Sequence, residues 1–353
     1  MKKDYNVIGL MSGTSMDGLD IALCRFNHRT GWQFEIINAE TIPYSRQWLH
    51  DLNTARELGE KDLEKLSLAY GSYLANCVNE FIDKNRLTNI DFIASHGHTI
   101  HHQPQNGITV QIGDGNVLSE ETKLPVVYDF RIQDVQLGGQ GAPLVPIGDQ
   151  LLFSKYQACL NLGGFSNISF QYHNERIAFD ISPINIVLNR LTRKIGKDYD
   201  FNGELAASGK SIPVLLKQLN ALEYYKNPVP KSLGIEWVEK NMYPLLLESY
   251  EINDMLFTVV EHVVFQINQV FIQYHIKDVL VTGGGAYNSF FMDELSKASS
   301  TKISVPDDLI VEYKEALIFA FMGVLRMENR INVLKSVTGS LKDHCSGKIS
   351  QLA

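Results

Sequence analysis

Residues 5–26 read YNVIGLMSGTSMDGLDIALCRF. Tyr5–Leu10 is an apolar, β-rich run, and Leu19–Phe26 carries the alternation of a half-buried strand, so the two predict the arms of a hairpin. A hairpin turn ordinarily needs about two to five residues. Ser12–Gly18 is longer and holds Ser12, Thr14, Ser15 and Asp17, hydroxyls and an acid suited to a triphosphate tail and its metal. Two more glycine-rich turns follow apolar strands: NLGGFSNIS at Asn161–Ser169 and VTGGGAYN at Val281–Asn288. Glycine accepts φ > 0 without strain and lets backbone N–H groups approach an anion closely. Three such loops in one chain predict a nucleotide held between two lobes.

The rest of the chain fits an α/β plan. Gln33–Tyr44 predicts a third strand and Lys61–Arg86 a helix, from apolar residues at Leu63, Leu66, Tyr70, Leu74, Cys77, Val78 and Phe81. Phe92–Ala94 predicts a short strand running into SHGHTIHHQP, and PVVYDF from Pro125 another strand. A helix is expected near Val145–Lys155. Strands at Ala158–Leu162, Ile168–Tyr172 and Arg176–Asp180 follow, so strand, glycine loop, strand, turn, strand recurs in both halves without a literal repeat. Helices are expected at Ile184–Ile195, Ile212–Leu219, Glu236–Glu248, Asp254–His275, Ser289–Ala298 and Glu315–Met327, with a strand at Asp278–Thr282.

With 353 residues, 44% apolar and 20% charged, the composition is that of one very large domain or two ordinary ones. The net charge of −8 gives no basic attraction for nucleic acid or an anionic membrane. Four dispersed cysteines, Cys24, Cys77, Cys159 and Cys345, predict reduced thiols in a cytoplasmic protein. The N-terminal run reads as a first strand and not as a signal peptide, and no apolar stretch is expected to reach membrane-span length.

Asp180 ends the strand RIAFD before Ile-Ser-Pro. A carboxylate there suits a general base, or the N-cap of the next helix. His96, His98, His101 and His102 invite a zinc reading, but no cysteine, glutamate or further histidine at a familiar spacing completes a ligand set, so no metal site is assigned to them. Polar contacts to a substrate are the expected role of Ser95, His96, His98, Arg131, Asp134 and Gln140, since a sugar needs directed donors and acceptors.

Taken together, these motifs resemble the anhydro-N-acetylmuramic acid kinase family of the sugar kinase and actin superfamily, nearly end to end. The carriers are GLMSGTSMDGLD (Gly9–Asp20), SHGHTIHHQP (Ser95–Pro104, with His98 where the family has glutamine), QIGDG, PVVYDFRIQDVQLGGQGAPLVP (Pro125–Pro146), NLGGFSNI, FNGELAASG from Phe201, PKSLG from Pro230, GGGAYN and EALIFAF. The resemblance implies a two-lobed actin-like ATPase, ribonuclease H-like fold with an active site in the cleft between lobes. Lobe I would comprise 1–129 with 330–353, and lobe II 130–329. It implies ATP- and Mg2+-dependent conversion of 1,6-anhydro-N-acetylmuramic acid and water to N-acetylmuramic acid 6-phosphate.

Residue by residue, it implies that Gly13, Thr14, Ser15, Met16, Asp17, Gly18, Leu19 and Asp20 hold phosphates and magnesium. Gly163, Gly164, Asn167, Gly203, Gly283, Gly284, Gly285 and Asn288 would complete the nucleotide site. Asp180 would be the catalytic base and Glu315 a second acid–base group. Where the family reads T-G-P-G-N, this chain has Ile181-Ser182-Pro183-Ile184-Asn185, and an isoleucine resists φ > 0. Another sugar kinase, or a nucleotide-binding sensor without catalysis, therefore stays open as an alternative. A homodimer is kept as a candidate assembly.

Overall fold

The computed structural model describes residues 4–13 and 16–350. Its chain divides into two compact units, residues 1–152 with 313–353, and 153–312. These bounds differ from the expected 1–129 with 330–353 and 130–329. The reason lies in packing. Helix Asp308–Met327 breaks its helical geometry at Tyr313, and from there on it lies against the first unit's sheet.

The first sheet holds β1 (Asp4–Ser12), β2 (Leu19–His28), β3 (Trp32–Ile42), β4 (Phe92–Gln103), β5 (Ile108–Ile112), β6 (Val126–Tyr128) and β12 (Lys348–Ile349). Its order is β12-β6-β4-β1-β2-β3, with β5 paired to β4. The β1–β2–β3 meander is antiparallel, and β1, β4 and β6 run parallel. Central β1 is buried continuously from Val7 to Leu10, as a strand covered on both faces must be. One face is covered by helix Glu60–Asn85, whose Tyr70, Leu74, Val78 and Phe81 form an apolar stripe at helical spacing. Against the sheet lies helix 308–327 at van der Waals range. A Cβ on Gly9 would stand 2.0 Å from the carbonyl oxygen of Ala316, and one on Gly323 would stand 2.8 Å from the Cβ of Ala94. A buried ion pair, Lys314 to Asp149 at 2.7 Å, ties the same helix to helix Pro146–Leu152.

The second unit repeats the plan. β7 (Ala158–Leu162), β8 (Phe165–Tyr172), β9 (Glu175–Pro183), β10 (Asp278–Thr282) and β11 (Lys302–Ser304) form a sheet ordered β11-β10-β7-β8-β9. Again the first three are antiparallel and the last two parallel to the first. Two mixed sheets with this strand order make the chain an α/β protein of the actin-like, ribonuclease H-like class.

Helix Ile252–Gln273 fills the second core with Leu256, Val259, Val263, Ile267 and Phe271. It is long and apolar enough to cross a membrane, contrary to the expectation that no stretch is, yet two-thirds of its apolar window is buried inside the unit. Its hydrophobicity serves packing.

Candidate functional site

Ser12 pairs with Leu19, which closes the first hairpin on its loop side. Thr14 and Ser15 lie outside the described residues. The Met16 N–H donates to the Gly13 carbonyl at 3.2 Å, and Met16 itself takes φ 60°. Positive φ thus falls on a methionine here. Gly18 answers a different need, since its Cβ would stand 2.6 Å from the Ile42 carbonyl oxygen. Asp17 is exposed, and Asp20 on β2 accepts from the Thr41 hydroxyl at 2.6 Å.

Behind this loop runs a buried polar chain. The Ser12 hydroxyl contacts Tyr44 at 2.6 Å and His98 Nδ1 at 2.7 Å, and Tyr44 contacts Tyr70 at 2.6 Å. Burial first, then Arg56, holds the His98 imidazole down at about 4, so it is neutral near pH 7. Tyr44 and Tyr70 are not among the expected site residues; one ends a predicted strand and the other belongs to the apolar stripe of a helix.

On the same strand as His98, His96 accepts from Arg131 Nε at 2.8 Å through Nε2, which leaves Nδ1 to donate to the Gly97 carbonyl at 2.9 Å. Arg131 also donates to the Gly141 carbonyl at 2.8 Å. Burial lowers Arg131 to about 10, still cationic, while Glu315 opposes that fall. Glu315 remains open to solvent. The crowding that raises its carboxyl above the ordinary range is therefore that of protein around the site, and Arg131 counters it.

Ser95 is buried and accepts from the Gly97 N–H at 3.2 Å. Asp134 is wholly buried, with its oxygens engaged by the Gly141 N–H and the Thr338 hydroxyl, both at 2.7 Å. Its observed duty is to pin the glycine turn to the C-terminal segment. Gln140 is exposed, and its N–H donates to the Thr338 carbonyl. Among the described residues no group of three or more His, Cys, Asp or Glu is arranged to hold a metal.

In the second unit the two remaining glycine loops meet. Thr282, Asn161, Asn167 and Asp180 are register partners across four strands, β10, β7, β8 and β9. The Asn161 side chain lies between the loops: a Cβ on Gly283 would stand 2.6 Å from its Oδ1, and one on Gly163 3.2 Å from its Nδ2. A Cβ on Gly285 would stand 2.7 Å from that of Leu162. Asn185 joins the pair, donating to the carbonyls of Leu162 and Gly163 at 3.1 and 2.7 Å. Gly283, at φ 84°, needs glycine's freedom. Gly164 and Gly284 do not take positive φ; a Cβ on Gly164 would only touch that of Ile186 at 3.9 Å and one on Gly284 would project into open space, so neither glycine is demanded by packing and both suit close approach of an anion to the backbone.

Gly203, at φ 73°, packs on Asn288, whose side chain caps helix Ser289–Ala298 through the Phe291 N–H. Asn161 is a residue the sequence reading missed as a contact. Its signal was its place on the last turn of strand before two glycines.

Asp180 lies beside these loops. Its Oδ2 accepts one hydrogen bond, from the Leu233 N–H at 2.8 Å. Burial raises the carboxyl to about 6, and the Leu233 amide only partly offsets that. The Asp180 carbonyl accepts from the Tyr224 hydroxyl at 2.6 Å. Between Asp180 and Ser182 the pairing slips: Asn167 faces Asp180 while Ser166 faces Ser182, so Ile181 is the extra residue of a β-bulge. The altered I-S-P-I-N segment does not use the left-handed region. Ile184 has φ −131°, and neither Ser182 nor Ile184 takes a positive φ.

The family model for anhydro-N-acetylmuramic acid kinase matches residues 5–351. The chain belongs to this family. An anhydro-N-acetylmuramic acid kinase from Haemophilus influenzae is 36% identical over 96% of this chain and 96% of its own. The relative from Francisella tularensis subsp. novicida is 32% identical, over 97% of this chain and 98% of its own. A solved structure, component A of (R)-2-hydroxyglutaryl-CoA dehydratase from Acidaminococcus fermentans, is similar at 14% identity, with a TM-score of 0.47 over 90% of this chain and 96% of that one. As a member of the family the chain is a carbohydrate kinase, an enzyme that moves a phosphoryl group from ATP to a sugar.

Proposed function

We propose that the protein uses ATP and water to convert 1,6-anhydro-N-acetylmuramic acid to N-acetylmuramic acid 6-phosphate, with Asp180 as the base. The observation that carries this reading is the Asp180 environment. The carboxyl titrates near 6, so near pH 7.5 it is mostly ionised yet more basic than an ordinary carboxylate. It takes the proton of the water that attacks the anomeric carbon. The bond from that carbon to the bridging 6-oxygen breaks, and the 6-oxygen forms its bond to the γ-phosphorus as ADP leaves. Glu315 beside Arg131 is a second acid–base group for the sugar.

The backbone at Gly164 and Gly284, with the amide side chains of Asn161 and Asn167, supplies donors for ATP. Asp17 and Asp20 of the first unit offer hard carboxylate oxygens, the donor type magnesium takes, and would hold it there. Magnesium bound there would neutralise phosphate charge. The free thiols of Cys24, Cys77, Cys159 and Cys345 accord with a cytoplasmic, reducing setting.

The test is turnover in oxygen-18 water, read by mass spectrometry of the product. Label is expected on the anomeric oxygen, and Asp180→Asn should cost about 10²–10⁴-fold in kcat. Label in phosphate without ring opening, or a phosphorylated sugar with its bridge intact, overturns the reading.

A further inference from the structure

We infer that residues 222–233 are a strap that positions Asp180, and that Tyr225 fixes this strap to the core through His262. The inference rests on the reading of Asp180 as the base.

Three hydrogen bonds join the strap to Asp180 itself. The Asp180 N–H donates to the Lys231 carbonyl at 3.1 Å, the Tyr224 hydroxyl donates to the Asp180 carbonyl, and the Leu233 N–H donates to the carboxylate. A fourth contact joins Tyr225 to Ser182 at 2.9 Å. The bulge at Ile181 decides what that contact does. Because Asn167 and Ser166 are adjacent on β8, their partners Asp180 and Ser182 point to opposite faces of the sheet. Asp180 is turned to the site and Ser182 into the core, where it is fully buried. Ser166 supports the bulge, since its hydroxyl accepts from the Ser182 N–H at 3.1 Å and donates to the Ser182 carbonyl at 2.9 Å.

On the core side the hydrogen bonds have one direction. Asn220 Oδ1 only accepts, so His262 Nδ1, at 2.6 Å, donates to it. His262 Nε2 is then an acceptor, and the Tyr225 hydroxyl donates to it at 2.7 Å. The Tyr225 oxygen is left to accept from Ser182. Gln266 donates to the same Asn220 oxygen at 3.1 Å. His262 lies fully buried on helix 252–273, and burial keeps it neutral, as this pattern requires. The position of Tyr225, and through the strap that of the Leu233 amide, is set by one imidazole.

The titratable groups around Asp180 are Tyr224 and Lys231 on the strap, with Tyr225 and His262 behind Ser182. Burial is the first cause of the raised carboxyl. A loosened strap admits water and also weakens the Leu233 contact that holds the carboxyl down; burial is the larger of these opposed causes, so the acid limb of the kcat–pH profile moves down from about 6 toward the ordinary carboxylate range.

The experiment compares Tyr225→Phe, Ser182→Ala, His262→Leu and His262→Gln with the parent and with Asp180→Asn. Misplacement of a reacting group by about 1 Å costs up to ~10²-fold. Tyr225→Phe and His262→Leu are expected to lose about tenfold in kcat at unchanged KM for ATP, with the acid limb lowered by about half a pH unit or more. His262→Gln keeps a donor and an acceptor and should hold both near the parent values. Ser182→Ala removes a single contact and gives the same signs at smaller size, which serves if His262→Leu does not fold. A lowered melting temperature with kcat and acid limb unmoved in Tyr225→Phe overturns the strap while leaving an inactive Asp180→Asn intact. Normal turnover in Asp180→Asn overturns the base assignment and the strap with it.

Discussion

Asp180→Asn should make the protein more stable as well as inactive. The carboxyl titrates near 6 in the fold against an ordinary 3.8, chiefly through burial. A group raised in this way favours the fold while protonated. The stability it permits is complete below the unfolded value near 4 and is lost as pH rises through 6. The interval is worth about 3 kcal/mol at pH 8, an upper figure because the side chain is only partly buried, and about half of that at pH 5. Asparagine keeps an oxygen for the Leu233 N–H and carries no charge. The variant should therefore exceed the parent by up to about 3 kcal/mol at pH 8, with a margin that halves by pH 5. Urea unfolding followed by Trp237, in a background with Trp32 and Trp48 replaced by phenylalanine, reports on the second unit. A margin absent at pH 8, or one that does not shrink on acidification, would refute the reasoning.

Other perturbations follow from the packing. Gly9→Ala drives a methyl into the Ala316 carbonyl and should cost about 1–3 kcal/mol or more by denaturant titration; parent-like stability would show that helix 308–327 gives way freely. Lys314→Met leaves Asp149 as a buried charge and should cost about 3–5 kcal/mol, most of it recovered on adding Asp149→Leu; a double variant as unstable as the single one contradicts the pair's role. Gly203→Ala meets Asn288 Oδ1 at 2.2 Å from a left-handed backbone, so it should raise the KM for ATP more than it lowers kcat; an unchanged KM separates this turn from nucleotide binding.

Local chemistry was legible in the sequence where one element decides it. Strand 278–282 and helix 289–298 fall on the expected residues. The long helix 60–85 follows from its periodic stripe. Features set by distant partners were not legible. β4 runs to Gln103 and not to Ala94 because β5, a strand of only five residues, pairs with its histidine-rich half. Helix 308–327 begins seven residues before Glu315, across the break at Tyr313. Asp134 reads as a polar site residue until Thr338 is seen beside it. The glycines of the loops were read through backbone freedom, whereas Gly18 and Gly285 answer to close approach. Tyr224 and Tyr225 sit in a short turn whose partners are sheet and helix, so nothing local marks them.

The bulge at Ile181 is a phase shift in the code of the strand. Before it, a change of side chain is felt by whatever occupies the site; one step after it, a change is felt by the core. Positions 180 and 182 are thus neighbours in sequence that answer to separate selections. The glycine-to-serine exchange at 182 can be accommodated by Tyr225 and His262 without altering what Asp180 presents. Deleting one residue here would merge the two readings, turning the acid inward or the serine outward, so the chain should tolerate substitution at 182 far better than a change of length.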